Sequence, residues 1–270
     1  MTLPSGYWHD LTSDDLGALD PARDVALLPL GAVEQHGPHL PLITDTCIAE
    51  GLVAETLNRL DDAVSLLVLP TLQLGASAEH TGFAGTLSLN DATLTHVLRD
   101  LGDSLAAAGL RKLIVLNTHG GNRHGLDGAA LDLRRRHGML VVKANIGGLG
   151  VPDGLFDAEE REHGIHGGAL ETSIMLHLRP DLVRMEAADS FDSVALSLAG
   201  DYRYLRPTGR LAFAWMAEDL NPAGVVGQAA AADADKGRRV VAHMGTALAA
   251  LAAETARFPL DTLGISDGQG

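Results

Sequence analysis

Short apolar runs alternate along this chain with longer segments of helical period, and that alternation leaves few folds open. Asp24–Leu30 (DVALLPL), Val64–Leu69 (VSLLVL), Lys112–Asn117 (KLIVLN) and Met139–Ile146 have the length and the Gly or Pro flanks of buried strands. Between them, Thr46–Leu60 places Ile48, Leu52, Val53, Leu57 and Leu60 on one helical face. Asn90-Asp91 offers an N-cap to a helix striped by Leu94, Val97, Leu98, Leu101 and Leu105 that stops at Gly109. Asn122–His137 reads as a helix closed by Gly138. Strand–helix–strand order of this kind predicts an α/β fold with a mainly parallel sheet covered on both faces. In such sheets ligands bind beyond the carboxyl ends of the strands. The chemically loaded residues fall there: Glu34 and His36 after the first run, Glu79 and His80 after the second, His119 after the third.

The segment Leu28–Asp45 (LPLGAVEQHGPHLPLITD) crowds Glu34, His36, His39 and Asp45 into a loop shaped by Gly31, Gly37 and prolines. Carboxylates and imidazoles packed this closely are costly unless a cation holds them, and a divalent metal turns their repulsion into coordination. Carboxylate oxygen with neutral imidazole suits zinc, manganese or iron(II), and an aspartate can bridge two ions. His39 either supports the loop or lines the pocket. Asn117-Thr-His-Gly-Gly-Asn122 sits at a strand-to-helix junction, where the glycines bring His119 to the crevice as a further metal ligand. It matches neither nucleotide fingerprint, G-x-G-x-x-G or the P-loop.

His166-Gly-Gly-Ala-Leu-Glu-Thr-Ser173 opens a helix whose apolar face carries Ile174, Met175 and Leu178. Loop and first turns can bring His166 and Glu171 to one pocket, the imidazole as proton shuttle, the carboxylate as metal ligand or base. The small-residue loop Gly75–Thr86 carries Ser77, Glu79, His80 and Phe83 and reads either as a substrate-pocket wall or as an Ω-like connector. Ser173 lacks a nucleophile-elbow context, which argues against a serine triad. Residues 181–270 hold the least readable part; Trp215 and Arg203–Arg210 read as a packing segment, with a lid or subunit contact as the alternative.

Composition narrows the partners. A formal charge of −15 argues against nucleic acid. The run Arg134-Arg135-Arg136-His137 complements a helix C-terminus. The start has no basic, apolar secretory pattern, and the Ala-rich stretch near 241–253 is too short and mixed to span a bilayer. A single cysteine, Cys47, excludes an intrachain disulfide and suits a reducing compartment. The expectation is a cytoplasmic protein without a membrane partner, folded over residues 1–270 as one domain.

Four blocks, Gly31–Asp45, Ser77–Thr86, Asn117–Asn122 and His166–Ser173, in this order resemble the creatininase (creatinine amidohydrolase) family. Asn221-Pro-Ala-Gly-Val-Val-Gly227 is similar to the family's Gly-Val-x-Gly turn. The resemblance implies a three-layer α/β/α fold, a homo-oligomer (commonly a hexamer), and a site with two divalent ions, Zn and/or Mn with Fe possible, acting on non-peptide C–N bonds of a small-molecule amide. It implies that Glu34, Asp45 and His119 hold one ion, that Asp45 bridges to a second held by His36, and that His166 moves the proton. Creatinine-hydrolysing members are expected to carry Tyr and a metal-binding Glu straight after that histidine; here stand Gly120 and Gly121. Glu171 is then the candidate for the missing carboxylate, and Ser77 and His80 the candidates to bind substrate. Glu162 and His163 stand where such enzymes place aromatic and acidic residues. Other members resembling this chain are a formylamide hydrolase and a peptidase of mycofactocin maturation. The non-enzymatic alternative is a metal- or ligand-binding protein.

Overall fold

A computed structural model describes residues 5–264. Strands β1 (Gly6–Tyr7), β2 (Val25–Leu30), β3 (Leu66–Val68), β4 (Lys112–Asn117) and β5 (Leu140–Asn145) form one sheet in the order β1-β3-β2-β4-β5, every pair parallel. A minor antiparallel pair joins β6 (Ser190–Phe191) to β7 (Gly227–Gln228). The helices are α1 (Ser13–Leu16), α2 (Thr44–Leu57), α3 (Asp91–Ala107), α4 (Arg123–His137), α5 (Ala158–His163), α6 (Ala169–Leu178), α7 (Val194–Asp201), α8 (Ala217–Leu220) and α9 (Ala234–Arg257). Among the described residues no helix is long and apolar enough to cross a membrane.

Alternation along the strands builds two cores. Val25, Leu27, Leu66, Val68, Ile114 and Leu116 face α2, α6 and α9, meeting Ile48, Leu52, Ile174, Met175, Val240 and Leu248. Ala26, Leu28, Leu30, Leu113 and Val115 face α3 and α4, meeting Leu94, Leu98, Leu105, Leu126 and Leu133. The result is the three-layer α/β/α arrangement, helices on both faces of a parallel sheet. The chain leaves β2 for β3 on one side and reaches β4 on the other, with α2 and α3 on opposite faces. The crevice beyond β2 and β4 is therefore the topological switch point, where ligands bind in open α/β sheets.

The predicted elements recur with shifts that have local causes. Asn90 caps α3 by accepting from Thr93 N, and Gly138 closes α4 at φ 62°. Helix α2 starts two residues before the expected boundary, because the Pro41 carbonyl accepts from Thr44 N and Oγ1 and turns the chain there. Asp45 thus lies in the first helical turn rather than in the loop, where the helix dipole favours its charge. Strand β3 is shorter than Val64–Leu69, since Pro70 follows and has no N–H for a ladder. Residues 181–270 supply the long helix α9, capped by Asp233. Trp215 Nε1 donates to the Pro207 carbonyl at 2.8 Å, closing its own loop.

Helices α6 and α9 approach closely because position 237 has no side chain: a Cβ there would lie 1.8 Å from the Ser173 carbonyl oxygen. Backbone cannot yield to such a contact, so overpacking is at the upper end of its usual range. Gly237→Ala is expected to destabilise the fold by about 3 kcal/mol, a fall in Tm of roughly 6–12 °C. An unchanged thermal melt would contradict this packing.

Candidate metal centre

The loop after β2 folds back on itself. Glu34 N donates to the Leu42 carbonyl, and Gln35 N donates to Thr86 Oγ1. Gly31 allows the loop to start against α2, since a Cβ there would lie 2.8 Å from Thr46 Oγ1. This fold-back carries Glu34 and His36 over the carboxyl end of the sheet, beside Asp45 from α2. His119 enters from the end of β4, and Glu171 from the first turns of α6. All five side chains predicted as metal ligands converge, together with His166.

Asp45 stands in the middle. Its Oδ1 lies 3.6 Å from His36 Nε2, and its Oδ2 lies 3.7 Å from His119 Nδ1. Glu171 Oε2 is 3.8 Å from His36 Nε2, and Glu34 Oε1 is 3.1 Å from His119 Nδ1. The ligand atoms of Glu34, Asp45 and His119 lie within 4.8 Å of one another, and so do those of His36, Asp45 and Glu171. A third overlapping group is Glu34, His36 and His166. Four donor atoms here, Glu34 Oε1 and Oε2, His36 Nε2 and Asp45 Oδ2, are buried without a hydrogen-bond partner. An unpaired buried polar atom costs about 1–3 kcal/mol, and more when charged. Four of them facing one space fit divalent cations of the zinc, manganese or iron(II) type.

Each imidazole is held by a partner on its far nitrogen. His36 Nδ1 donates to the Glu34 carbonyl at 3.1 Å, leaving Nε2 for the cluster. His119 Nε2 donates to the Ala76 carbonyl at 2.9 Å, leaving Nδ1. His166 Nε2 donates to the Gln35 carbonyl at 2.8 Å, and its Nδ1 faces Glu34 Oε1 at 3.7 Å. The His166 ring lies between those of His36 and His80, each with its centroid 4.2 Å away. Such far-side partners set the tautomer and aim of a ligating histidine.

Burial and the facing charges shift the cluster's titrating groups in opposite directions. Burial opposes ionisation of Glu34, yet the neighbouring His119, His166 and His80 hold its carboxyl well below the usual range. Burial works against the His36 cation too, but Asp45, Glu171 and Glu34 raise it to about 9. His119 is raised to about 10 against burial, through Glu34, Asp45 and Glu79. Burial pushes Glu171 up to about 7, Asp45 adding to it against the pull of His36. Burial lowers His80 to about 4, and burial, with the neighbouring His36 and then His80 opposing a further positive charge, takes His166 well below the ordinary imidazole value.

Ser77 and His80, expected on a pocket wall, are both buried. Ser77 Oγ lies 3.4 Å from His119 Nε2, and His80 Nε2 lies 3.3 Å from Glu34 Oε1. Both therefore touch predicted ligands rather than open space. His39 is turned away from the cluster: its Nε2 contacts the Gly167 carbonyl and Thr172 Oγ1, supporting the loop that carries His166. Gln35 is a functional neighbour that sequence reasoning missed. Its Nε2 donates to His80 Nδ1 at 2.8 Å and to the Gly224 carbonyl, and its Oε1 accepts from Gly37 N. The only sequence signal for it was its place between two predicted ligands, Glu34 and His36. A Cβ on Gly121 would lie 2.2 Å from the Ala76 carbonyl oxygen and 2.6 Å from Glu79 Oε1, so no carboxylate can come from that position. Glu171 places a carboxylate on the His36 side of the cluster, its Oε2 held by Gly167 N at 2.7 Å.

The family described as creatininase (creatinine amidohydrolase) matches residues 9–252. The chain is 36% identical over 225 residues to a mycofactocin precursor peptide peptidase of Mycobacterium ulcerans, covering 81% of this chain and 80% of the relative. It is 34% identical over 206 residues to creatinine amidohydrolase of Pseudomonas putida, covering 67% and 75%. Among solved structures, a manganese form of creatininase superposes with a TM-score of 0.74 at 27% identity, covering 93% of this chain and 98% of that one.

Cation loading would have to displace the protons on His36 and His119, which are raised to about 9 and about 10. Metal affinity should therefore rise as pH climbs from 6 toward those values. At pH 7, calorimetry in buffers of differing ionisation enthalpy should register release of about two protons from His36 and His119 on full loading, with a further fraction from Glu171, which is raised to about 7. Binding without proton release would overturn these assignments.

Proposed function

The chain belongs to the creatininase family of amidohydrolases, and on that premise we propose that it hydrolyses an amide C–N bond with two divalent ions. Glu34, Asp45 and His119 would hold one; His36, Asp45 and Glu171 would hold the other. The observation that carries this reading is the division of the Asp45 carboxylate between two donor groups, four of whose buried atoms, Glu34 Oε1 and Oε2, His36 Nε2 and Asp45 Oδ2, lack a hydrogen-bond partner. Manganese is named for a solved neighbour, and zinc and iron(II) suit the same donors.

The chemistry that divalent ions held by these residues would supply is polarisation of the scissile carbonyl and a lowered pKa for a water. His166 handles the proton. With Nε2–H held by the Gln35 carbonyl, its free Nδ1 faces the cluster. Burial between two imidazoles keeps the ring neutral at pH 7, able to take up a proton at Nδ1 and then release it readily to the leaving nitrogen. His80 steadies Glu34, and Gln35 steadies His80. Ser77 acts beside His119 in the same manner.

A small amide outside the peptide class is the first substrate reading, following the family's reaction. A second reading, cleavage of a precursor peptide, has a specific observation in its favour. Similarity to the mycobacterial peptidase extends over more of the chain than similarity to creatinine amidohydrolase. Gly120 and Gly121 also replace the Tyr and Glu expected of creatinine-hydrolysing members, and beside Gly120 a Cβ would meet nothing within 4 Å. Both features count against creatinine itself.

Elemental analysis with an amide panel tests the mechanism and sorts the substrates. His119→Ala should lose metal and activity together. His166→Ala should keep both ions and lose turnover by about 10²–10⁴-fold; wild-type turnover in that variant would remove it from the proton path. Hydrolysis of peptides but of no small amide would select the second substrate reading, and the opposite pattern the first.

A further inference from the structure

Asn122 immediately precedes α4, in the N-cap place where asparagine ordinarily accepts from the helix's own first amides. Its side chain makes no such bond. It is fully buried and reaches three loops instead. Its Nδ2 donates at 3.0 Å to the Gly31 carbonyl, where the Glu34 loop begins. The same nitrogen donates at 3.0 Å to Asn117 Oδ1, which in turn accepts from His119 N. Its Oδ1 accepts from Ala76 N at 2.8 Å. Ala76 is the residue whose carbonyl receives the His119 Nε2 proton. Space for this contact is reserved by Gly75, where a Cβ would lie 2.3 Å from Asn122 Oδ1 and 2.7 Å from the Gly31 carbonyl oxygen. Every polar atom of one amide is thus used to clamp the loops that follow β2 and β3 to the end of β4, and none serves the helix it precedes.

We propose that Asn122 is a positioning residue for the metal centre: by seating Ala76 and Asn117 it fixes the tautomer and aim of His119, so that Nδ1 is presented to the cluster. The inference rests on the reading of His119 as a metal ligand. Asn122 lies on the His119 side of the cluster, and none of its hydrogen bonds reaches His36 or Glu171. Its loss should therefore act unequally on the two ions, which a general structural role would not do.

The test is manganese titration of the chelated full chain, with folding of each variant checked by circular dichroism. In the wild type two ions should bind. Asn122→Ala should weaken by roughly 10–100-fold the ion that His119→Ala also loses, and leave at wild-type affinity the ion that Glu171→Gln loses. Asn122→Asp keeps an acceptor for Ala76 N but sets a carboxyl oxygen against the Gly31 carbonyl and Asn117 Oδ1, and should weaken the same ion while sparing the other; should Asn122→Ala not fold, this isosteric variant decides. Two ions retained at full affinity in a folded variant, or both weakened equally, would overturn the positioning role while leaving the metal reading intact. A wild-type chain that binds no ion would overturn the metal reading and this inference with it.

Discussion

Asp45 is the group on which the centre depends. Its two oxygens face different imidazoles, His36 and His119, which arrive from different loops. Around it Glu34 and Glu171 add negative charge, and four of the donor atoms, on Glu34, His36 and Asp45, are buried with no hydrogen-bond partner. Carboxylates so placed are stable only with positive charge among them, whether as protons on the histidines or as divalent ions. That one requirement accounts for the raised imidazoles, the depressed Glu34 and the raised Glu171 together.

The scaffold meets the requirement by geometry at the end of the sheet. Strands β2 and β4 are neighbours, and their connections leave toward opposite faces, which opens a crevice beyond their carboxyl ends. Glu34 and His119 stand at the mouth of that crevice because each follows one of the two strands. Helix α2 supplies Asp45 from its first turn, where the macrodipole favours a carboxylate. Helix α6 brings Glu171, and its own position is set by close packing on α9 at Gly237.

Backbone carbonyls orient the histidines. His36, His119 and His166 each donate to a main-chain oxygen, those of Glu34, Ala76 and Gln35, and His39 contacts that of Gly167. The first three leave one nitrogen facing the cluster. His39 faces away, with its ring beside Phe191, and holds the loop on which His166 sits. The turn Asn221–Gly227 completes the enclosure: Gly224 accepts from Gln35, and Val226 pairs with His166. A segment far along the chain therefore closes the site.

Much of this was legible in residue order. Apolar runs and helical stripes marked the parallel sheet and its two helical layers, because burial on both faces leaves a periodic trace in the sequence. Glu34, His36, Asp45, His119, His166 and Glu171 could be named because crowded carboxylates and imidazoles between glycines are a local signal. Gln35, Asn122 and the inward packing of Ser77 and His80 could not be read that way. An amide or a hydroxyl looks alike in sequence whether it faces solvent or clamps a loop, and its partners lie dozens of residues away. The sequence by itself determined the strand–helix order and the chemical types available at the crevice. Only the tertiary structure decided which oxygen of Asp45 faces which imidazole, and which nitrogen of each histidine is left free, because those choices follow from contacts between loops rather than from any one of them.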